Sequence, residues 1–377
     1  MKEDRKMSDI PKTCKAMVLT KYGEPDVLQD VEIPERKEGD ILVKVQLAGI
    51  CGTDVHQNLG DLSIRPPEPM IQGHETIGKI VELNEVDKDV AGTSLKVGDR
   101  ILWAHQFCGE CYYCKILGQP YMCTHSKGYG FAPPKALRGG MAEYELVTKG
   151  TDVVKIPDSV TDEEALGVGC AFRTVVCGFD KIMKYGGVPT GGTVVVQGVG
   201  PVGLYSVVMA AQTGAAKIIA VDGFENRLEF AKKWGATHTI NLNEIKDSHE
   251  RANLVREMTG GIGAEVVIEC SGFPPAINEG IDYLGKEGKY LIMGQTSRRS
   301  VEVIPNDFMS KNACMIGSGS ADIRHFIKAL KFIEAYREKY PFGELISRTY
   351  SLEDANLALN NMLRGVDLKA AIDCRNR

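Results

Sequence analysis

Hydrophobic positions in the first 160 residues recur with period two. In DILVKVQLAGI, Ile41, Val43, Val45 and Leu47 fall on one face, the signature of a packed strand. Shorter runs of the same kind follow in IGKIVEL, DRILW, AEYELV and DVVKIP, separated by Gly, Pro and Asp. This stretch predicts an irregular barrel or sandwich of largely antiparallel strands. The rhythm changes at Thr161, where Glu164 three residues on completes a capping-box pattern and predicts a helix start. From Gly191, apolar strands (TVVVQG, KIIAVD, EVVIECSG, KYLIMG) alternate with helical stretches (GLYSVVMAAQTGA, ending at Gly214, and NRLEFAKKWGA). Fully apolar strands between helices mean a parallel sheet covered on both faces. After about Ala321 the pattern turns helical and closes in LKAAIDC, a strand placed to rejoin the first unit.

The predicted class is therefore α/β, with an irregular β-barrel unit and a doubly wound unit. The expected organisation is a tail over 1–14, a strand-rich unit over 15–170, the doubly wound unit over 171–320, and a returning segment over 321–377. A length of 377 residues supports two domains, and 43% hydrophobic residues supply the cores. A net charge of -5 gives no support to nucleic-acid binding, and no apolar run is long enough to predict a membrane span. The opening MKEDRKMSDIPKTCK is charged and has no apolar stretch, so no secretory signal is expected, with Met7 an alternative start. Eleven cysteines, an odd number, fit a disulfide framework poorly. In the cytoplasm, the compartment expected here, clustered thiols more often bind metal.

VVVQGVGPVG places Gly198, Gly200 and Gly203 in G-x-G-x-x-G spacing after an apolar strand and at the start of a helix. That context makes it a dinucleotide site, with the pyrophosphate at the helix N-terminus. Asp222 ends the next strand, where a carboxylate bonds the adenosine ribose and repels a 2′-phosphate. NAD is favoured over NADP.

CGECYYCKILGQPYMC carries Cys108, Cys111, Cys114 and Cys123. Four thiolates close a tetrahedral Zn²⁺ shell with no position for substrate, so this lobe, at about 105–125, is expected to be structural. An iron–sulfur cluster or free thiols is the alternative. An open site needs three ligands, and Cys51, His74 and Cys170 are candidates that composition alone does not join; buried cysteines are usually small hydrophobes.

Taken together, AGICGTDVH, GHETIGKIV, the four-cysteine lobe and GVGPVG resemble the zinc-dependent alcohol dehydrogenases of the medium-chain dehydrogenase/reductase superfamily, over about residues 15 to 377. The resemblance implies a GroES-like catalytic domain beside a Rossmann NAD-binding domain. It also implies two Zn²⁺ per subunit, the catalytic one held by Cys51, His74 and Cys170 with Glu75 adjacent. Asp54 matches the carboxylate that orients the liganding His, Thr53 and His56 a proton relay, Thr174 a position beside the nicotinamide, and Arg227 a basic residue near the adenosine ribose. Three departures stand out. Asn84 replaces a usual glycine, the Cys114–Cys123 gap is one residue longer than the commonest spacing, and Gly52 stands where some members place a pyrophosphate-binding arginine. Lys369 is the candidate to supply part of that charge.

The implied reaction is reversible oxidation of a primary or secondary alcohol to an aldehyde or ketone, in a homodimer or homotetramer. The substrate pocket is expected along NLGDLSIRPPEPM, the LWAHQF stretch around Trp103, and the segment after Cys170. Arg65 and Arg173 are candidates to pair with an anionic substrate group, against the alternative of domain-closing ion pairs or solvent-facing cations. A polyol or threonine dehydrogenase competes within the enzyme class. Outside it stand a zinc-free reductase of the same superfamily, which lacks these ligand sets, and a non-catalytic NAD-binding protein with structural zinc.

Overall fold

A seven-stranded sheet is built almost wholly from the first half of the chain. The computed structural model describes residues 10–295 and 299–376, so residues 1–9 of the expected tail lie outside it. The main path of this sheet runs Arg348–Tyr350, Ala370–Asp373, Ile41–Gly49, Glu75–Leu83, Arg100–Trp103 and Val153–Lys155, and Tyr144–Val147 also pairs with Ile41–Gly49. All neighbours are antiparallel except the first pair. Strand Ile41–Gly49 is packed on both sides: Leu42, Val45 and Ala48 join one apolar cluster, Ile41 and Val43 another, and Leu47 a third. A three-stranded sheet of Thr13–Leu19, Val27–Glu32 and Met70–Ile71 covers it.

The six-stranded sheet is parallel throughout. Its order is His238–Asn241, Lys217–Asp222, Thr193–Gln197, Ala264–Glu269, Leu284–Ile292 and Cys314–Gly317. The earliest strand, Thr193–Gln197, lies in the middle, and the chain reverses direction beside it. In doubly wound sheets the ligand crevice opens at that switch point.

Four helices position the chemistry. Helix α1 spans Gly52–Leu59, α2 Asp162–Ala165, α3 Ala171–Met183 and α4 Pro201–Ala211. The predicted capping box forms at α2, where the Glu164 N–H donates to Thr161 Oγ1 and the Thr161 N–H donates to Glu164. After Ala321, helix Ile323–Tyr336 packs against α3, and the return to the first sheet is made by Arg348–Tyr350 and Ala370–Asp373. No helix among the described residues is long and apolar enough to cross a membrane.

One buried acid makes the fold pH-sensitive. Glu145 is fully covered, and neither carboxylate oxygen has a hydrogen-bond partner. Burial pushes its carboxyl from 4.5 up to about 8. A group whose folded value is raised contributes stability below its unfolded value and loses it as pH climbs toward the folded one. Native protein should therefore lose stability between about pH 4.5 and 8, on the order of 5 kcal/mol from this residue. Glu145→Gln should remove that part, and parallel Tm-against-pH curves for the two proteins would refute it.

Candidate functional site

The site assembles where two neighbouring strands end. Gly49 pairs with Glu75, so the residues just beyond one strand (Cys51) and at the start of the other (His74, Glu75) are adjacent. The chain enters α1 directly after Cys51, whose backbone N–H donates to Asp54 Oδ2 at 2.8 Å. The other oxygen of Asp54, fully buried, faces His74 Nδ1 at 3.2 Å and the Gly73 N–H at 3.3 Å. A carboxylate on Nδ1 leaves Nε2 as the ligating nitrogen. Cys170 arrives from a third direction, as the residue before α3.

The result is one cluster. The ligand atoms of Cys51, His74, Glu75 and Cys170 lie within 4.8 Å of one another. Burial drives the His74 imidazole down, but the charge of Asp54, with Cys170, more than offsets it and holds it above its ordinary value. The two thiols share a proton: contact with Cys170 takes Cys51 down, and the same contact takes Cys170 up. Burial raises Glu75 to about 6 against the pull of Lys369. Glu75 Oε2 accepts from Lys369 Nζ at 2.5 Å, whereas Oε1 is buried with no partner. Two soft thiols, an oriented imidazole and an orphaned carboxylate oxygen fit a Zn²⁺ ion.

Cys108, Cys111, Cys114 and Cys123 form the second cluster, also within 4.8 Å. Their sulfurs are 4.0 Å (Cys108–Cys114), 3.9 Å (Cys111–Cys123) and 3.5 Å (Cys108–Cys123) apart. A tetrahedral Zn–S shell with bonds of about 2.3 Å has edges of about 3.8 Å, so the cage fits that ion too. The Cys111 thiol is drawn down to about 6, first by the Cys114 backbone.

The glycine turn follows from sterics. Gly198 has φ +80°, and a Cβ there would meet Ser271 at 2.7 Å. A Cβ on Gly203 would lie 1.9 Å from Gly198 O, so α4 packs on the strand only through glycine. Gly200, by contrast, faces open space, its nearest neighbour being Arg227 Nη1 at 3.9 Å. A cavity of about 480 Å³ lies here, lined by Gly198, Gly200, Asp222 and Arg227 among others. Asp222 accepts from the Val199 and Phe224 N–H groups, and Arg227 stacks over Phe224 at 4.6 Å.

Four expected site residues are placed otherwise. Arg173 is buried: Nε donates to Gly169 O (2.7 Å), Nη1 donates to Ala321 O (3.1 Å), and the guanidinium lies over Phe326. It clamps the turn before Cys170 to the start of the late helix instead of waiting for an anionic substrate. Arg65 stacks on Tyr22 at 4.9 Å in a surface groove lined by Lys21, Pro66, Pro67 and Glu68, with no metal-site residue in it. Trp103 points into the core with Val43, Ile80 and Ile101, because that residue still belongs to the strand. Lys369 is buried on Glu75 and Ile50 O (2.9 Å) and is not placed at an open phosphate cradle. Thr174 Oγ1 donates to Cys170 O at 2.8 Å, tightening the first turn of α3.

Two residues were missed. His105, two past Trp103, packs its ring edge-on to Phe131, which stacks on His74 at 5.9 Å. Burial, with Arg173, keeps this imidazole neutral, and its Nδ1 accepts the Tyr129 N–H at 3.1 Å. The hydrogen is therefore on Nε2. Asp61 bonds the His56 ring, a contact treated below. Only the polar tail of LWAHQF pointed to His105, and nothing in the spacing singled out Asp61.

Comparison with known proteins shows the family. A model of the alcohol dehydrogenase GroES-like domain matches residues 37–158, and one of zinc-binding dehydrogenases matches residues 201–335. A 5-exo-hydroxycamphor dehydrogenase of Pseudomonas putida is 36% identical over 91% of this chain and 94% of its own. A solved alcohol dehydrogenase from Thermotoga maritima superposes with a TM-score of 0.88 at 34% identity, covering 96% of this chain and 99% of that one. A zinc-binding dehydrogenase from Sinorhizobium meliloti, solved with NADP, gives a TM-score of 0.80 at 26% identity, covering 96% of this chain and 100% of that one. On these matches, which span most of the chain, this protein belongs to the zinc-dependent alcohol dehydrogenases of the medium-chain dehydrogenase/reductase superfamily.

Proposed function

We propose that this protein oxidises a neutral primary or secondary alcohol to the aldehyde or ketone with NAD, and reduces the carbonyl in reverse. The observation that carries the reading is the buried convergence of Cys51, His74 and Cys170 with Glu75 held back by Lys369. Cys51, His74 and Cys170 would hold a Zn²⁺ supplying Lewis acidity toward a substrate hydroxyl, and the glycine turn would hold a nicotinamide supplying the hydride acceptor.

The chain's own residues then have separable tasks. Asp54 fixes His74 with its hydrogen on Nδ1. Thr53 and His56, three apart on α1, share one face of that helix, with the imidazole half-exposed, and the ribose of a bound cofactor would link the two. Thr53 receives the hydroxyl proton and His56 passes it to solvent. Asp222 and Arg227 take the adenosine ribose, the carboxylate favouring NAD over NADP. Thr174 lies beside the nicotinamide. The four-cysteine lobe holds a second, structural zinc. Reduced clustered thiols fit the cytoplasm, and a homodimer or homotetramer is the assembly proposed.

With Arg173 clamped on backbone carbonyls and Arg65 in an outer groove, an anionic substrate loses its support. The Nε2–H of His105 favours a second reading, in which the substrate carries another hydroxyl, able to accept a hydrogen bond, beside the reacting carbon. The test follows formation of reduced nicotinamide by zinc-loaded enzyme against simple alcohols, vicinal diols, amino alcohols and matched anionic partners. Neutral alcohols should exceed their anionic partners by about tenfold or more in kcat/KM, with NAD preferred to NADP. A preference for the anionic series would overturn the neutral reading, and absence of turnover across the panel would favour a non-catalytic protein.

A further inference from the structure

His56 has a fixed partner that no motif predicted. Its Nδ1 lies 2.9 Å from Asp61 Oδ1, and the Asp61 backbone N–H donates to His56 O at 3.1 Å. Gly60, in left-handed conformation (φ 74°), ends α1 and folds Asp61 back over the histidine. Asp61 is thus tied to His56 through both backbone and side chain. Its second oxygen faces the other half of the molecule, where Oδ2 lies 3.7 Å from Nη2 of Arg299. Arg299 follows strand Leu284–Ile292 of the parallel sheet, so the pair bridges the two units beside the exposed end of α1.

A carboxylate only accepts hydrogen bonds, so a neutral His56 facing Asp61 must carry its hydrogen on Nδ1. Nε2 is then the lone pair available to receive a proton. Without the carboxylate the ring is free to turn or to adopt the other tautomer, and its basic nitrogen is misplaced. The same logic makes the orienting carboxylate matter in acid–base dyads generally.

We propose that Asp61 is a positioning residue for His56, and that Arg299 holds Asp61 in place from the cofactor-binding unit, so the proton outlet is set only when the two units meet at this edge. The proposal rests on the reading of His56 as the relay's outer member. It extends that reading by making proton release depend on a side chain from the opposite unit.

The test uses the full-length, zinc-loaded enzyme and the best alcohol from the panel. Asp61→Asn should lower kcat by on the order of tenfold, with cofactor affinity unchanged and the loss reversed by added imidazole. In ¹⁵N-labelled protein, the His56 ring nitrogens should report the Nδ1-protonated tautomer in native enzyme and a mixture in the variant. Arg299→Gln should cost about threefold, and the double variant should be no worse than Asp61→Asn alone, since the two act through one group. Full activity in Asp61→Asn, a loss that imidazole does not rescue, or an unchanged tautomer would overturn the role of Asp61. Independent, additive losses would overturn the role of Arg299. His56→Gln separates the underlying reading: if it too is unaffected by imidazole, the relay itself is wrong; if it is rescued and Asp61→Asn is not, only this proposal falls.

Discussion

Replacing Cys51 or His74 with alanine removes one zinc per subunit and lowers kcat/KM by about 10⁴-fold or more, while the zinc of the cysteine lobe remains. The expectation follows from burial. The four ligand atoms sit within 4.8 Å in a pocket with no other donor set among the described residues except the distant lobe. Loss of one thiolate or of the imidazole leaves two of the three ligands, and Glu75, whose Oε2 is on Lys369, has only Oε1 to offer in their place. Metal analysis with parallel kinetics checks the prediction. Turnover retained after loss of that metal would refute the catalytic assignment, and loss of both metals together would show that the two clusters are not independent.

Gly203→Ala should weaken cofactor binding by about 100-fold while both zinc sites keep their metal. The added Cβ would stand 1.9 Å from Gly198 O, a backbone atom that cannot swing aside, so α4 must lift from strand Thr193–Gln197. A stability loss of about 3 kcal/mol should accompany it. Gly200→Ala is the companion. Its nearest neighbour is 3.9 Å away, so the fold should be undisturbed and only the ligand's approach obstructed. Calorimetric titration with NAD and thermal unfolding separate the two. Equal stability losses would mean that the glycine spacing serves packing alone.

What was legible in the sequence was local. The apolar strands from Thr193 onward and the Thr161–Glu164 box each depend on residues close in the chain. The one-face alternation expected over Ile41–Leu47, by contrast, is broken by register shifts at Leu42/Val43 and Val45/Leu47, which put Val45 with Leu42. The two metal sets were legible through motif order, although spacing alone did not join Cys170 to Cys51 and His74. What failed was the assignment of single side chains to a surface. Arg173 looked available until Ala321, 148 residues away, supplied a carbonyl, and Lys369 looked like a cofactor contact until Glu75, 294 residues away, took its ammonium. Trp103 faces inward because its strand persists one residue beyond Leu102, a boundary that periodicity does not resolve. His105 gained its place from the end of that strand. Asp61 gained its own from a helix stop at Gly60, and neither has a spacing signature.

The largest apolar cluster ignores the division between the two sheets. Leu47, Ile77 and Leu102 from the antiparallel sheet lie in the same cluster as Val194, Val196 and Ile268 from the parallel one, joined by residues of α3 and the late helix. Such a protein is one cooperative body that happens to read as two modules. A piece cut near residue 160 would turn that seam toward water, so recombination with a relative's other half succeeds only if the seam residues travel together.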